Sequence, residues 1–349
     1  MKLGIIITSY NNQDTLEKTI NSAAKLKKNN KTYIVLVDDC SKDLTLKIIK
    51  KAKENNQVDY IHFNKVNLGV SKCRNIGINL CKNTDYVTFL DGDDFLNPKF
   101  SRIIKKKIFY GDLIAFNFNY HYKNKISKNF FYKKNKDLST KDIKTYFHRY
   151  LIKPNKNSLF TTCWSKLYKT NLLRSEKKVF FDKKLFLCED TDFVFRFLSK
   201  AKCVQYINFP MYIHTLVKGK GNLNKATFGT KLPLRCQISF LSAIESCKNY
   251  LIKNNDKLSI IQTKINHCIG AYTIIYTIRS CIKINSFYDF IKTYLFWKKI
   301  YKKKIIYNSI NDYSPKLAGG GKWIPYLIKS KIYLLAIIVA FLFSRKRYF

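Results

Sequence analysis

The sequence has few residues of the kinds that mark fibrous or linker-rich proteins. Its 349 residues include only 12 glycines and 6 prolines, which excludes a collagen-like chain or a Gly/Pro-rich linker. Acidic residues are also scarce, because 23 Asp and Glu stand against 65 Lys and Arg, for a formal net charge of +42. Hydrophobic residues nevertheless make up 46% of the chain, so it has ample material for a packed core and is not a disordered basic tail.

Several motifs that would define a site are missing as well. The ten cysteines include no C-x-x-C pair, and their scatter predicts reduced, buried thiols rather than zinc ligands or disulfides. Neither a G-x-G-x-x-G fingerprint nor a G-x-x-x-x-G-K-[ST] loop occurs, which removes the usual dinucleotide site and the P-loop. The first ten residues lack the pattern of a secretory signal, so we expect a cytoplasmic protein.

The apolar segment near the C-terminus is shorter than a membrane span. Residues 332–343 are uninterruptedly apolar with basic residues on both sides, yet a spanning helix needs about 20 residues. Positive charge also increases along the chain, from +8 in residues 1–115 through +14 in 116–215 to +20 in 216–349. A short apolar helix with basic flanks is typical of binding to anionic lipid. Residues 326–349 are therefore predicted to contact the inner face of the cytoplasmic membrane, and a terminal core helix is the alternative.

The N-terminal third alternates short apolar runs with helical patterns. Four runs are predicted as strands, of which the first two are expected to be buried: Leu3–Thr8, Thr32–Val37, Asp59–Phe63 and Tyr86–Leu90. Strands that alternate with helices at this spacing predict a doubly wound, mostly parallel α/β sheet. From about residue 233 the pattern is helical with interspersed lysines, so a basic helical C-terminal region is expected to follow the sheet.

Polar side chains collect where the predicted strands end. Thr8 and Tyr10 follow the first strand, Asp39 follows the second, and an Asp-Gly-Asp-Asp turn at residues 91–94 follows the fourth. Ligands of such sheets bind at the carboxyl ends of the strands. Carboxylates this close repel one another unless a cation is present, and oxygen ligands favour Mg²⁺ or Mn²⁺, usually together with substrate phosphates. A helix N-cap cluster is the alternative interpretation of the acidic turn.

The order of these motifs is specific. Within residues 3–98 the chain has Thr8-Ser-Tyr-Asn11, then Asp38-Asp-Cys40, then Asn67-Leu-Gly69 with Arg74, Asn75 and Gly77, and finally Asp91-Gly-Asp-Asp94. In this order the motifs resemble family 2 inverting glycosyltransferases of the GT-A fold, of the bacterial surface-glycan type. The resemblance implies a nucleotide-sugar donor, most often UDP-linked, and Mn²⁺ or Mg²⁺ as cofactor. One departure is Cys40, where the family commonly has glycine, which makes the turn less permissive.

Carried over by motif position, the resemblance implies roles for single residues. The nucleotide-sugar site would comprise Thr8, Tyr10, Asp39, Arg74, Asp91 and Gly92. Tyr10 would pack against the uracil, and Asp39 would contact the base or the ribose. Asp91 would contact the ribose or the metal, and Asp93 would hold the metal that bridges both phosphates. A core aromatic is the alternative for Tyr10, and a surface ion pair is the alternative for Arg74.

A second acidic cluster, Glu189-Asp190-Thr-Asp192, opens an apolar helix pattern. It resembles the acceptor-side E-D motif of the family, whose aspartate takes the proton of the attacking hydroxyl. Asp190 is therefore the predicted catalytic base, with Glu189 beside it and Asp192 as its rival. A neighbouring carboxylate raises the pKa of such a base. Acidic residues that merely favour a helix N-terminus are the alternative interpretation.

Two ring-bearing residues complete the candidate site. Trp164 is a candidate platform for the acceptor sugar, with a buried core tryptophan as the alternative. His214 is a candidate contact to the metal or a phosphate, with a structural histidine as the alternative. The predicted organisation places the nucleotide-sugar half in residues 1–115, the acceptor and catalytic-base half in 116–215, and a basic helical region in 216–349.

These observations favour one activity over two alternatives. The predicted reaction transfers a hexose or N-acetylhexosamine from a UDP-sugar, with inversion, to a growing lipooligosaccharide, capsule or lipid-linked saccharide. A sugar-phosphate nucleotidyltransferase would have a Gly-rich basic loop after the first strand, where this chain has Thr8-Ser-Tyr-Asn-Asn12. A non-catalytic protein that binds nucleic acid or membrane would suit the charge of +42. No recognised nucleic-acid motif occurs, so we expect no specific nucleic-acid partner.

Overall fold

The computed structural model describes residues 1–27, 31–122, 125–129, 131–154, 158–175, 178–216, 238–282, 284–318 and 321–348. The chain divides into two compact units. Unit 1 consists of Met1–Ser139, Leu159–Lys184 and Glu189–Asn222, and unit 2 of Thr140–Ser158, Leu185–Cys188 and Leu223–Phe349. Most of unit 2 comes from the predicted helical region 216–349. Unit 2 also takes in Thr140–Ser158, which the sequence placed in the middle region.

Unit 1 is built on one mixed sheet. Its strands are β1 (Leu3–Ser9), β2 (Thr32–Asp38), β3 (Tyr60–Phe63), β4 (Tyr86–Asp91), β5 (Phe95–Leu96), β6 (Leu113–Tyr122), β7 (Lys125–Asn129), β8 (Lys136–Leu138), β9 (Lys166–Lys169) and β10 (Val204–Thr215). Their order is β3-β2-β1-β4-β9-β6-β10-β5, with β7 paired to β6 and β8 paired to β10. The α/β class predicted from the sequence is confirmed.

The main strands of the sheet run in one direction, and short strands run the other way. Strands β3, β2, β1 and β4 pair in parallel, as the strand–helix alternation predicted. Strand β9 then pairs antiparallel with both β4 and β6, and β5, β7 and β8 are antiparallel to their neighbours. Strands β3, β2, β1, β4, β6 and β10 thus run in one direction, and the sheet is mixed because the short strands β5, β7, β8 and β9 run the other way.

The helices of unit 1 include two that pack on the parallel strands and two that contribute residues to the candidate site. They are α1 (Leu16–Lys27), α2 (Thr45–Glu54), α3 (Val70–Leu80), α4 (Phe100–Lys106), α6 (Thr170–Leu173) and α7 (Glu189–Leu198). Strand β1 is buried along its whole length because it lies between β2 and β4. Helix α3 packs so closely on β1 that a Cβ added to Gly77 would lie 2.2 Å from Cγ2 of Ile6. Only glycine permits this approach, which fixes the position of α3.

Unit 2 is helical in its described residues. Its helices are α5 (Thr140–Ile152), α8 (Phe240–Lys253), α9 (Leu258–Cys281), α10 (Phe287–Tyr301), α11 (Lys304–Asp312), α12 (Pro315–Ala318), α13 (Trp323–Lys329) and α14 (Tyr333–Tyr348). Among the described residues, no helix combines the length and the apolar character needed to cross a membrane. Of the nine cysteines that the structure describes, six are buried and three are half-buried, and none of the nine is paired in a disulfide; their reduced state stays a prediction.

Candidate active site

The carboxyl ends of β1, β2 and β4 meet at one edge of the sheet. The backbone N–H of Asp39 donates to the carbonyl of Ser9 at 2.8 Å, and that of Gly92 donates to the carbonyl of Thr8 at 2.9 Å. A Cβ added to Gly92 would lie 2.8 Å from the same Thr8 oxygen. Glycine is therefore required where the acidic turn crosses the end of β1, and the three strand ends form one continuous polar edge.

Asp39 is buried at this edge and is fully hydrogen-bonded. Its Oδ1 accepts from the side-chain amide of Asn64 at 2.8 Å and from the N–H of Leu68 at 2.7 Å. Its Oδ2 accepts from the N–H of Gly69 at 2.8 Å, the residue directly before α3. Asp39 thus holds the start of the helix that carries Arg74. Its predicted contact with a base or ribose stays a prediction.

Tyr10 and Cys40 lie on the turns that follow β1 and β2. The side chain of Tyr10 is 48% exposed, so its ring is accessible to a planar ligand, and its uracil-binding role stays a prediction. Cys40 has φ 66°, in the left-handed region that costs an L-residue about 1–2 kcal/mol. The chain therefore departs from the glycine common in the family at a position where the backbone favours glycine.

Arg74 connects three of the predicted carboxylates. Its Nη2 donates to Oδ1 of Asp91 at 2.9 Å, and its Nη1 donates to Oδ1 of Asp190 at 2.6 Å. Oε1 of Glu189 lies 3.7 Å from the same Nη1. Arg74 is only 3% exposed. Burial opposes its charge, but the carboxylates, Asp190 first among them, hold the pKa of Arg74 well above its ordinary value. The end of β4 and the start of α7 therefore share one buried cation.

The two members of the Glu-Asp pair are not equivalent. Oδ1 of Asp190 has the short bond to Arg74, and its Oδ2 accepts from the N–H of Cys163 at 3.2 Å. Burial, followed by the charge of Asp190, raises the pKa of Glu189, and the more distant Arg74 only partly offsets this. Glu189 consequently favours its protonated form. Asp190, held by two donors, is the better placed carboxylate for a base.

Asp192, the rival base, is already paired within its own helix. Its carboxylate is buried, and its Oδ2 accepts from Nε of Arg196 at 2.8 Å. This i,i+4 ion pair lies along α7. It offers a structural reason for a buried carboxylate at this position, so the structure does not favour Asp192 over Asp190.

Asp94, to which the sequence analysis gave no role, anchors the acidic turn. Its Oδ2 accepts from the hydroxyl of Tyr212 at 2.7 Å and lies 2.9 Å from Nδ1 of His214. Its Oδ1 accepts from the N–H of Thr215 at 2.7 Å. Burial disfavours the charged imidazole, but the bond and charge of Asp94 outweigh it and raise the pKa of His214. The structure thus brings His214 to the acidic turn, and its contact with metal or phosphate stays a prediction.

The acidic turn has the chemistry, but not the full ligand set, of a metal site. Burial, together with the charges of Asp94 and Asp91, raises the pKa of Asp93, so negative charge here is poorly compensated. Within the described ranges, no group of three or more His, Cys, Asp or Glu side chains is arranged to hold a metal ion. Asp91 and Asp93 therefore fit a divalent cation only when oxygens of a ligand complete its coordination.

Trp164 is packed rather than open. It is 7% exposed, and its ring stacks on Tyr212 with centroids 4.6 Å apart and on His214 with centroids 5.4 Å apart. The indole thereby supports the two residues that hold Asp94. Little of its surface is left for a sugar, and its role as an acceptor platform stays a prediction.

Sequence reasoning missed Tyr212 and the backbone amide of Cys163. A hydroxyl on a buried strand and a peptide N–H form no recognisable motif. For Tyr212 a signal did exist, because it precedes the candidate His214 by two residues and side chains at this spacing share one face of a strand. For the backbone amide of Cys163, the sequence contained no such signal.

The site lies largely within a segment that matches a known family. Residues 4–175 match the model of "Glycosyl transferase family 2". The poly(ribitol-phosphate) beta-N-acetylglucosaminyltransferase TarS of Staphylococcus aureus is 30% identical over 100 residues, 28% of this chain and 17% of that protein. The cholesterol galactosyltransferase of Borreliella burgdorferi is 27% identical over 237 residues, 64% of this chain and 62% of that protein. The chain therefore spans less than two-thirds of the length of these curated relatives.

A solved structure confirms the fold. The crystal structure of S. aureus TarS 1-349 in complex with UDP-GlcNAc matches with a TM-score of 0.65 at 16% identity, covering 99% of this chain and 92% of that one. At this identity the likeness concerns the fold alone. It confirms the expected GT-A type of α/β fold followed by a helical region.

Proposed function

Because residues 4–175 of this chain match the model of glycosyl transferase family 2, we propose that the protein is an inverting glycosyltransferase. It moves a hexose or N-acetylhexosamine from a UDP-sugar to a glycan hydroxyl. The observation that carries this proposal is the Arg74 cluster, which places Asp91 and Asp190 on two nitrogens of one guanidinium. A single displacement needs the donor and the base this close together, since the acceptor oxygen attacks the anomeric carbon as its proton leaves.

Each part of the site has a step in this mechanism. Tyr10 and the turn at residues 91–94 bind the nucleotide. Asp190 accepts the proton of the acceptor hydroxyl while its oxygen bonds to the anomeric carbon, and UDP departs with the electrons of the broken bond. No bond to the enzyme forms, so the configuration inverts. Asp91 and Asp93, together with diphosphate oxygens, would hold a divalent cation, which neutralises charge on the leaving group.

The proposed acceptor is a growing surface glycan or a lipid-linked saccharide. The name of one relative supports this class, since that protein acts on poly(ribitol-phosphate). The net charge of +20 in residues 216–349 adds a physical reason, because a strongly basic region attracts anionic polymers and anionic membranes.

Titration calorimetry of the whole chain with UDP, GDP and CDP, each with and without Mn²⁺, tests the donor half of this proposal. UDP with Mn²⁺ is expected to bind at least about tenfold more tightly than the other nucleotides or UDP alone, a difference of about 1.4 kcal/mol. UDP-sugars are then compared for transfer. If none of the three nucleotides binds, the nucleotide-sugar proposal is wrong.

We also propose that unit 2 attaches the protein to anionic membrane. Helix α14 buries one face of its apolar segment and exposes the other, and α13 packs against it. The exposed residues, named here the apolar patch, are Trp323, Tyr326, Leu334, Leu335, Ile338 and Leu342, each 37–60% exposed. Lys322, Lys329 and Lys331 are exposed beside the patch in sequence. Aromatic rings, leucines and lysines together suit the interface between headgroups and acyl chains.

Replacing two leucines of the apolar patch tests this attachment. Leu334→Glu with Leu342→Glu is expected to lower binding to vesicles of phosphatidylglycerol and phosphatidylcholine by about tenfold or more, because apolar area is lost and two like charges face the lipid. Co-sedimentation measures the effect. The matched control, Leu258→Glu with Ile260→Glu, changes two exposed residues of α9 and is expected to bind normally. Equal binding by both double variants would contradict the proposal.

A further inference from the structure

Lys166, at the start of β9, is a buried lysine that holds a loop. It is 1% exposed, and its Nζ donates to the carbonyl of Thr162 at 2.7 Å, to Oγ1 of Thr162 at 3.3 Å and to the carbonyl of Trp164 at 3.1 Å. An ammonium has three N–H donors, so each has a partner. Burial lowers the pKa of Lys166 to about 7. Since all three acceptors belong to one loop, the structural role of this buried amine is to hold that loop.

Every carbonyl of this loop, residues 161–165, accepts a hydrogen bond. Thr191 Oγ1 donates to the carbonyl of Thr161 at 3.1 Å, and the N–H of Phe116 donates to that of Ser165 at 3.0 Å. Lys166 Nζ donates to the carbonyls of Thr162 at 2.7 Å and Trp164 at 3.1 Å. Tyr168 OH donates to the carbonyl of Cys163 at 2.8 Å. Three of these five bonds come from two side chains of β9. Lys166 and Tyr168 thus supply three of the four side-chain hydrogen bonds that these carbonyls accept.

The loop contacts both acidic parts of the active site. The N–H of Cys163 donates to Oδ2 of Asp190, and the ring of Trp164 stacks on Tyr212 and His214, which hold Asp94. With Oδ1 bound by Arg74 and Oδ2 bound by Cys163, the carboxylate of Asp190 cannot rotate. If the Cys163 amide moves, one of these two restraints is lost.

We propose that Lys166 is a positioning residue for the transfer reaction: it fixes the loop so that the amide of Cys163 holds the base, Asp190, in its reactive orientation. The inference rests on the proposed function, since the orientation of Asp190 affects the transfer rate only if Asp190 is the base. Misplacement of a catalytic group by about 1 Å costs on the order of 100-fold in rate. Loss of a supporting residue in the next layer typically costs about 10- to 100-fold.

The first test is Lys166→Met, which keeps the length of the side chain and removes its three donors. The expected result is a kcat lower by about 10- to 100-fold with a KM for the UDP-sugar within about twofold of the parent. Lys169→Met is the matched control, because this lysine lies on the same strand but is exposed and pairs with Asp112. It is expected to leave both constants unchanged.

A second variant covers the outcome in which Lys166→Met fails to fold. Tyr168→Phe removes only the hydroxyl that donates to the Cys163 carbonyl, and it is expected to lower kcat less, with the same unchanged KM. In the double variant Lys166→Met with Asp190→Asn, the rate is expected to equal that of Asp190→Asn alone, because both changes act through one carboxylate.

A direct readout of the loop does not need activity. In the full chain labelled with [¹⁵N]cysteine, the amide resonance of Cys163 is expected to shift in Lys166→Met and in Asp190→Asn but not in Lys169→Met. An unmoved resonance in Lys166→Met, a normal kcat in both Lys166→Met and Tyr168→Phe, or a parallel loss of UDP affinity would each overturn the inference. Absence of transfer by the parent protein contradicts the proposed function instead, and the resonance still decides the role of Lys166.

Discussion

Asp190→Asn is expected to reduce the transfer rate by about 100- to 10,000-fold, the range that a general base contributes, while UDP affinity changes by no more than about twofold. The amide has nearly the shape of the carboxylate and still offers an oxygen to Arg74. It cannot take the proton of the acceptor hydroxyl at neutral pH. Steady-state transfer kinetics together with UDP calorimetry measure the two effects separately.

Asp192→Asn is the matched control for this experiment. It makes the same chemical change two residues further along α7, at a carboxylate bonded to Arg196, and near-normal turnover is expected. The reverse result, with normal turnover in Asp190→Asn and a large loss in Asp192→Asn, would assign the base to Asp192. A large fall in UDP affinity in Asp190→Asn would mean that its link to Arg74 matters for nucleotide binding rather than for proton transfer.

Asp93→Asn is expected to remove the part of UDP affinity that depends on Mn²⁺, about 100-fold or more if two carboxylates and the diphosphate share the ion. The reason is the poorly compensated charge at the acidic turn, where Asp94 and Asp91 raise the pKa of Asp93. Calorimetry with and without Mn²⁺ measures the difference. In metal-free buffer the variant is expected to bind UDP at least as well as the parent, because one negative charge near the diphosphate is gone.

Asp14→Asn is the control for the loss of one negative charge outside the acidic turn. Asp14 is an exposed carboxylate of unit 1 that precedes α1, and its replacement is expected to leave the Mn²⁺ dependence intact. If Asp93→Asn also retains the full Mn²⁺ effect, the cation is held by other groups and the assignment to Asp93 is wrong.

Much of the parallel half of the fold could be predicted from local pattern. The predicted strands Leu3–Thr8 and Thr32–Val37 differ from β1 and β2 by one residue at the carboxyl end, because buried parallel strands are apolar on both faces and their ends are marked by polar residues. The acidic turn could be singled out by the same change from apolar to polar residues, since three carboxylates directly after an apolar strand have few structural explanations.

The antiparallel insertion and the connections within the site could not be predicted in this way. Strand β9 has four residues, Lys166–Lys169, and its place between β4 and β6 depends on partners distant in sequence. The bond from Arg74 to Asp190 likewise joins two motifs that the sequence presented separately. Asp94 was visible in the acidic turn, but only the return of β10 shows that it anchors Tyr212 and His214.

The shared guanidinium of Arg74 links the charge states of two carboxylates. Arg74 is the common counter-ion of Asp91 on the nucleotide side and Asp190 on the acceptor side. A ligand that draws Asp91 away leaves more of that positive charge to Asp190 and lowers its basicity, whereas a ligand that draws Arg74 itself releases Asp190. Such linkage is reciprocal, and the change of at most about twofold in UDP affinity that is expected for Asp190→Asn sets its upper limit. Under the proposed function, the carboxylate of the donor site and that of the base therefore share one positive charge.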